Sequence, residues 1–370
     1  MPSSTEPLRL VQVGAGAMGR AWLTVLAASD QVELVGAVDL DVDAARRAVD
    51  SAGFPAVVVA DSLSALLPQV DAEAVLNVTV PTAHAAVSTE ALLSGLPVLC
   101  EKPLADSVSA GLGMIAAAEH SRQLLMVSQS RRYWRQLSAF RRQVAALGTV
   151  GSVECSFFKA PHFGGFRDEM AYPLLVDMAI HQFDLARDLT GADPVAVYCR
   201  SYNPAWSWYA GDAAASVVFE LAGGTHFTFN GSWCSPGLET SWNGSWRVSG
   251  EHGTACWDGD HEPVATRASG ETIPAVAGEG PEQIAGSLAE FVDVLGTGAT
   301  PWGEAHSNVV SLAMVEAAIT SAESGRRVLV AEVLEDAYAT ALATEQRPEL
   351  LAVLQSWGSV HDALGRAPRP

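Results

Sequence analysis

Up to about residue 130, short β-rich apolar runs alternate with longer segments whose apolar positions recur at helical spacing. Residues 8–13 form the first run, which stops at the turn Gly14-Ala15-Gly16-Ala17-Met18-Gly19. Residues 17–29 follow as a helix with Met18, Trp22, Val25 and Leu26 on one face. Further strands are predicted at 32–38, 56–60, 74–80, 97–100 and 124–128, and helices at 43–51, 62–67, 84–95 and 108–120. Pro81 stops the 74–80 strand and Gly95 ends the helix that follows. Strand and helix in alternation mean parallel strands joined by helical crossovers, so this part of the chain is expected to be a doubly wound α/β sheet.

The rhythm then changes. Residues 134–147 form an amphipathic helix with Arg135, Arg141 and Arg142 on its wet side. Strands are expected at 153–159, 195–202, 213–221, 225–232, 246–249 and 254–258, interrupted by a helix around Asp177. Successive strands with glycine turns such as Gly223-Gly224 favour an antiparallel sheet. Residues 283–295, 306–324 and 333–364 read as helices. The expected division is a first domain over residues 1–132 and a second over 133–370.

Composition narrows the setting. With 49% hydrophobic and 17% charged residues in 370, each half can build a core. A net charge of −20 repels nucleic acid and anionic membrane, so neither is expected as a partner. Cys100, Cys155, Cys199, Cys234 and Cys256 are scattered and never form a Cys-x-x-Cys pair, so buried reduced thiols are expected rather than disulfides or a zinc knuckle. Residues 1–8 hold no apolar signal core and no apolar run is long enough to span a bilayer, so a soluble cytoplasmic protein is expected.

The glycine turn carries the first chemistry. A G-x-G-x-x-G pattern alone is weak, but here a strand precedes it, a helix follows it, and an acid closes the next strand. Gly14 makes the tight turn, Gly16 lets backbone approach a pyrophosphate, and Gly19 lets helix and strand pack closely. The helix start at Ala17 and Met18 offers free N–H groups and a positive dipole end to phosphates. Asp39 stands about 20 residues past Gly19, where a carboxylate grips the adenosine ribose hydroxyls. Asp41 and Asp43 follow it without a base, which favours NAD over NADP; Arg46 and Arg47 come later on the next helix and temper that preference.

Two further motifs add reactive groups. Asn77-Val78-Thr79-Val80-Pro81 leads into a helix near His84, then Gly95-Leu96-Pro97-Val98-Leu99-Cys100-Glu101-Lys102-Pro103, and later Asp177-Met178-Ala179-Ile180-His181. Lys102 ends a parallel strand, beside the crevice where such sheets bind ligands, and is one of only two lysines, with Lys159. Pro103 biases Lys102 to an extended backbone. Asp177 and His181 are four apart, on one face of a helix, where a carboxylate sets a histidine tautomer. A metal site at this pair lacks a clear third ligand, with His162 the one candidate, so no metal is expected.

Glycine loop, Glu-Lys-Pro and Asp-x-x-x-His in this succession resemble the Gfo/Idh/MocA oxidoreductases, over nearly the whole chain. The resemblance implies an N-terminal Rossmann domain and a C-terminal α/β domain with a large, open, mostly antiparallel sheet through which dimers or tetramers form. It implies NAD(H)-dependent hydride transfer on a sugar, cyclitol or related polyol. In that scheme His181 is the general base, Lys102 hydrogen-bonds the reacting oxygen, and Asp177 orients His181 or the substrate. Thr79, Pro81, His84, Glu101 and Lys102 would lie at the cofactor. Many relatives carry glycines just before the Asp-x-x-x-His pair, whereas here they stand only at Gly164-Gly165, so the pocket floor is expected to differ.

Six of the ten tryptophans lie between Trp206 and Trp257. Most suit a sheet core or subunit interface, while Trp206 and Trp208 are candidates to stack on sugar faces. His162 and Arg167, in the glycine-broken loop before Asp177, are candidates for substrate hydroxyls or a carboxylate. Two other readings remain at this point. One is an NAD-retaining glycoside-cleaving enzyme without net redox; the other is a sugar- or nucleotide-sensing regulator that has lost turnover.

Overall fold

The computed structural model describes residues 6–365, so part of the polar N-terminal stretch and the last residues of the expected second domain lie outside the described residues. The chain opens as β1 (Leu8–Val13), α1 (Ala17–Ala27), β2 (Val32–Val38), α2 (Val42–Ser51), β3 (Val58–Ala60), α3 (Leu63–Leu66), β4 (Ala74–Asn77), α4 (Pro81–Leu93), β5 (Val98–Glu101), α5 (Val108–Ser121) and β6 (Leu125–Ser128). Next come α6 (Arg135–Ala145), β7 (Val150–Phe158), a π-helical turn (Leu174–Ala179), α7 (Ile180–Thr190), β8 (Pro194–Tyr202), β9 (Ala214–Leu221), β10 (His226–Ser232), β11 (Ser245–Gly250), β12 (Gly253–Trp257), β13 (Val264–Arg267) and β14 (Thr272–Ile273). It closes with α8 (Gln283–Thr297), α9 (Ala305–Ser324), β15 (Val328–Leu329), α10 (Val330–Thr344), α11 (Pro348–Ser356) and α12 (Val360–Gly365). Two compact units result. The first takes the chain up to Ser130, Ile284–Val309 and the chain from Glu335; the second takes Arg131–Gln283 and Val310–Leu334.

The first unit is built on a six-stranded parallel sheet in the order β3-β2-β1-β4-β5-β6. β4 and β5 are buried along their whole length, as expected for strands covered on both faces. Strand order reverses between β1 and β4, and the crevice outside their C-terminal ends is where such sheets take ligands. The boundary after β4 departs from the expected one. The strand stops at Asn77 and α4 starts at Pro81, because proline's fixed φ and missing N–H suit the first helical position.

The C-terminal helices are the main departure from a simple two-part division. Residues 284–309 and those from 335 onward belong to the first unit, because β6 is an edge strand whose backbone needs a partner. Val127 N donates to Gly303 O at 2.7 Å, and Met126 bridges to Glu304. Ser128 Oγ meets Ser287 Oγ at 3.0 Å, and α11 packs on α5. The single helix expected over 333–364 is three, α10 to α12, broken at Pro348 and at Gly358 with φ +72°.

The second unit is a nine-stranded sheet, β14-β13-β12-β11-β7-β10-β9-β8-β15, antiparallel except for the parallel pair β7–β10. β9 and β10 alternate buried and exposed residues, so one face is core. Phe183 of α7 inserts between Phe219, Phe227 and Phe229 on that face, with ring centroids 4.9–6.1 Å apart. Arg132 grips Asp184 with two bonds of 2.7 Å, and Ser311 Oγ donates to the same carboxylate at 2.8 Å. Burial opposes ionisation of Asp184, but Arg132 overrides it and holds the carboxyl below its ordinary value. Removing one partner of such a pair costs about 3–5 kcal/mol, so α7 is held firmly on the sheet. The opposite face exposes Val195, Tyr198, Tyr202 and Val218.

Among the described residues no helix is long and apolar enough to cross a membrane. The five cysteines are free, and burial pushes the Cys100, Cys155 and Cys199 thiols up, which makes them core side chains rather than nucleophiles.

One ionic pin closes the first unit. His306 Nδ1 lies 2.6 Å from Glu304 Oε1 and its Nε2 lies 2.9 Å from Glu119 Oε1, while Trp357 Nε1 donates to Glu119 Oε2 at 2.8 Å. Burial opposes the charge on His306, yet the two carboxylates raise it to about 9. Since the folded value lies above the ordinary 6.5, the stabilisation is complete below that value and is lost as pH rises through 9. The unfolding temperature is expected to fall by several degrees between about pH 7 and pH 10, and His306→Gln is expected to remove that part of the dependence. Identical pH profiles for the two proteins in thermal denaturation contradict the assignment.

Candidate active site

The residues singled out in the sequence fall into two groups, one in each unit. In the first unit Gly14 has φ +103°, and a Cβ there would lie 2.5 Å from Val78 O at the end of β4. Gly19 sits in α1 so close to the turn that a Cβ would lie 2.3 Å from Gly14 O. Gly16 is different. It caps α1, and a Cβ on it meets nothing within 4 Å, so the backbone there faces open space. The first turn of α1 holds no acidic side chain and no side-chain cap, and its first backbone bond runs from Arg20 N to Gly16 O. Exposed Ala17 and Met18 therefore start a helix whose leading N–H groups have no intrahelical acceptor. This open cradle fits the diphosphate of a dinucleotide.

Asp39 follows β2 and is tied to the turn itself. Its Oδ2 accepts from Ala15 N at 2.7 Å and its Oδ1 from Asp41 N at 3.0 Å. Asp41 Oδ1 in turn accepts from Ala44 N at 2.8 Å and caps α2. Arg46 faces elsewhere, bonded to Asp50 Oδ1 and Pro55 O, each at 3.3 Å, and to Val57 O. Only Arg47 remains as an exposed cation on α2.

At the ends of β4 and β5, Asn77 organises the turn. Its Oδ1 accepts from Thr79 Oγ1 at 2.7 Å and Thr79 N at 3.2 Å, and its Nδ2 donates to Ser88 Oγ at 2.9 Å. Pro81 begins α4. His84 is 1% exposed, with Nδ1 2.7 Å from Pro103 O and Nε2 3.1 Å from Thr79 O. It thus lies between the Thr79 and Pro103 turns, with one ring nitrogen close to each carbonyl. Burial lowers its pKa against the pull of those carbonyls, and Lys102 lowers it further.

Glu101 is also internal. Its Oε1 accepts from Trp22 Nε1 at 2.9 Å and its Oε2 from Lys102 N at 3.0 Å. Burial raises its pKa, with Trp22 and Lys102 opposing. Glu101 thus couples α1, the cofactor helix, to the backbone of Lys102, which is half-buried after β5 and joined to Pro103 by a cis peptide bond.

In the second unit Asp177 lies in the π-helical turn and His181 is the second residue of α7, 7% exposed. The π-helical turn runs directly into α7, and π turns of this kind occur frequently at functional sites. Arg167 Nε pairs with Asp177 Oδ2 at 2.6 Å, and its guanidinium lies 4.8 Å from the Phe166 ring centre and 5.2 Å from that of Phe163. His162 stacks on Trp208 at 3.7 Å, and Trp206, 67% exposed, donates Nε1 to Cys234 O at 2.7 Å. Tyr209 anchors the same loop through Pro161 O at 2.9 Å.

Sequence reasoning missed Gln12, Trp22's bond to Glu101, Asn77, and Arg131. The last holds Asn243 Oδ1 at 2.8 Å, contacts Met178 Sδ at 3.9 Å and feels the charge of Asp177; burial lowers it to about 10. Polar residues inside otherwise apolar strands were the available signal for Gln12 and Asn77. Arg131 offered none, since its partners are distant in sequence.

The chain matches known proteins over most of its length. Residues 8–129 match the family model described as GFO_IDH_MocA, an oxidoreductase family with an NAD-binding Rossmann fold, and residues 141–256 match the GFO/IDH/MocA C-terminal domain. The chain is 30% identical over 349 residues to the uncharacterized protein y4oX of Sinorhizobium fredii, covering 88% of this chain and 97% of that one. It is 30% identical over 201 residues to inositol 2-dehydrogenase 4 of Saccharopolyspora erythraea, covering 53% of this chain and 58% of that relative, so the match spans little more than half of that enzyme. Among solved structures, an oxidoreductase from Agrobacterium radiobacter in complex with NAD+, L-tartaric acid and magnesium superposes with a TM-score of 0.80 at 20% identity, covering 87% of this chain and 98% of the other.

The glycines separate folding from binding. Gly16→Ala is expected to unfold within about a degree or two of wild type, since its methyl enters open space, yet to weaken NAD binding at least about tenfold by filling the cradle. Gly19→Ala, whose methyl meets backbone, is expected to lower the unfolding temperature as well. Thermal denaturation and NAD titration of both variants check this; NAD affinity unchanged in Gly16→Ala contradicts it.

Proposed function

Because this chain belongs to the Gfo/Idh/MocA oxidoreductases and carries their NAD-binding Rossmann domain, we propose that it interconverts a hydroxyl and a ketone on a sugar, cyclitol or related polyol. The observation that carries this reading is the Trp22–Glu101–Lys102 linkage. A buried carboxylate spends one oxygen on the cofactor helix and the other on the backbone of a lysine, so cradle and lysine are held in register. When bound, NAD supplies the hydride-accepting nicotinamide.

The chain's own groups handle the oxygen. In the oxidising direction the carbinol C–H and O–H bonds break and C=O forms. The Lys102 ammonium donates a hydrogen bond to the reacting oxygen and stabilises its developing negative charge. His181 takes the hydroxyl proton as general base and returns it in the reducing direction. Asp177, held through one oxygen by Arg167, orients His181 or the substrate. Trp206, Trp208, His162 and Arg167 supply flat and polar surface suited to a sugar or polyol ring. NAD is favoured over NADP, because Asp39, fixed on the turn through Ala15 N, would meet ribose hydroxyls with a carboxylate, and Arg46 is committed to Asp50 and backbone carbonyls.

The test is a panel of inositols, aldoses and sugar acids with NAD, read by reduced-nicotinamide absorbance. Turnover is expected with at least one member. It should fall about 100-fold or more in Lys102→Met and in His181→Asn, while NAD affinity stays within a few-fold of wild type and exceeds that for NADP. Turnover retained in Lys102→Met, or tighter binding of NADP than NAD, sinks the assignment.

A further inference from the structure

We infer that Gln12 is a positioning residue that presets the pyrophosphate-binding turn for NAD. It lies in β1 among Leu10, Val11 and Val13 and is itself 1% exposed, at a place where a two-faced parallel strand ordinarily carries an aliphatic side chain. Its Nε2 donates to Gly14 O at 2.8 Å and to Gly19 O at 3.0 Å. The amide orientation is the only one the chemistry allows, since a carbonyl oxygen placed against two carbonyl oxygens would be repelled.

Those two acceptors are the ends of the cofactor turn. One NH2 group spends both of its protons on them and so sets the separation between the strand end and the first turn of α1. Between these ends lie the backbone of Ala15 and the exposed start of α1, the groups that face the cradle. A phosphate bound by such amides is sensitive to displacements well below an ångström, so a clamp at both ends of the turn bears directly on affinity.

The other half of the side chain shows that the choice is not made for stability alone. Gln12 Oε1 is buried without a hydrogen-bond partner among the described residues. An aliphatic residue would fill the position without that unpaired acceptor. A buried polar group that is only partly satisfied is the kind of local cost retained where it fixes a functional geometry. The glycines alone set how closely helix and strand approach; Gln12 sets where the turn stands within that approach.

The experiment measures NAD and ADP-ribose dissociation constants and unfolding temperatures for the wild type, Gln12→Met and Gln12→Leu. Titrations are run below the unfolding transition of all three. Both variants remove the donor, and Gln12→Leu supplies the aliphatic shape the strand core accepts. The expected result is about tenfold weaker binding of both ligands in both variants, equivalent to about 1.4 kcal/mol, whatever the direction of the change in unfolding temperature. ADP-ribose should lose the same factor as NAD, because the two share the pyrophosphate. An NAD dissociation constant within about twofold of wild type in Gln12→Leu overturns the inference. So does a loss confined to NAD that ADP-ribose does not share.

Discussion

The approach of α1 to the end of β1 is the constraint on which the first unit depends. At Gly14 and Gly19 the backbone leaves no room for a side chain, and a Cβ at either would fall within 2.5 Å of a carbonyl oxygen. This contact points the start of α1 into the crevice beyond β1 and β4, and Asp39 and Gln12 fasten it from two sides. Trp22, one turn along α1, then reaches Glu101 and through it the backbone of Lys102. The glycine turn is thereby joined to the backbone of Lys102 through hydrogen bonds of 2.7–3.0 Å.

The second unit meets a different demand. Its sheet is open, so the helix carrying His181 must be fixed by side chains. Phe183 among three sheet phenylalanines and the buried Arg132–Asp184 pair do this. Immediately before them the π-helical turn carries Asp177, which Arg167 holds through one oxygen.

Much of this was legible in the sequence, for reasons that can be named. The doubly wound sheet shows through because each strand is a continuous apolar run and each helix has an apolar stripe. The glycine turn shows through because its spacing has a steric cause at each glycine. What was not legible depends on partners far apart along the chain. Nothing around His84 in the sequence signals that Pro103 O lies 2.7 Å from its Nδ1. Residues 284–309 look like part of the second half until Gly303 pairs with Val127 and covers the edge of the first sheet. The π turn leaves no trace in periodicity because it displaces a single turn.

Hydride transfer itself is the central claim, and isotope transfer tests it most directly. Polyols carrying deuterium on their carbinol carbons are incubated with the protein and NAD, and the nicotinamide is examined by mass spectrometry. The account predicts reduced cofactor containing one deuterium from the substrate carbon, together with the matching ketone. Bound NAD that stays unlabelled and unreduced with every polyol contradicts it.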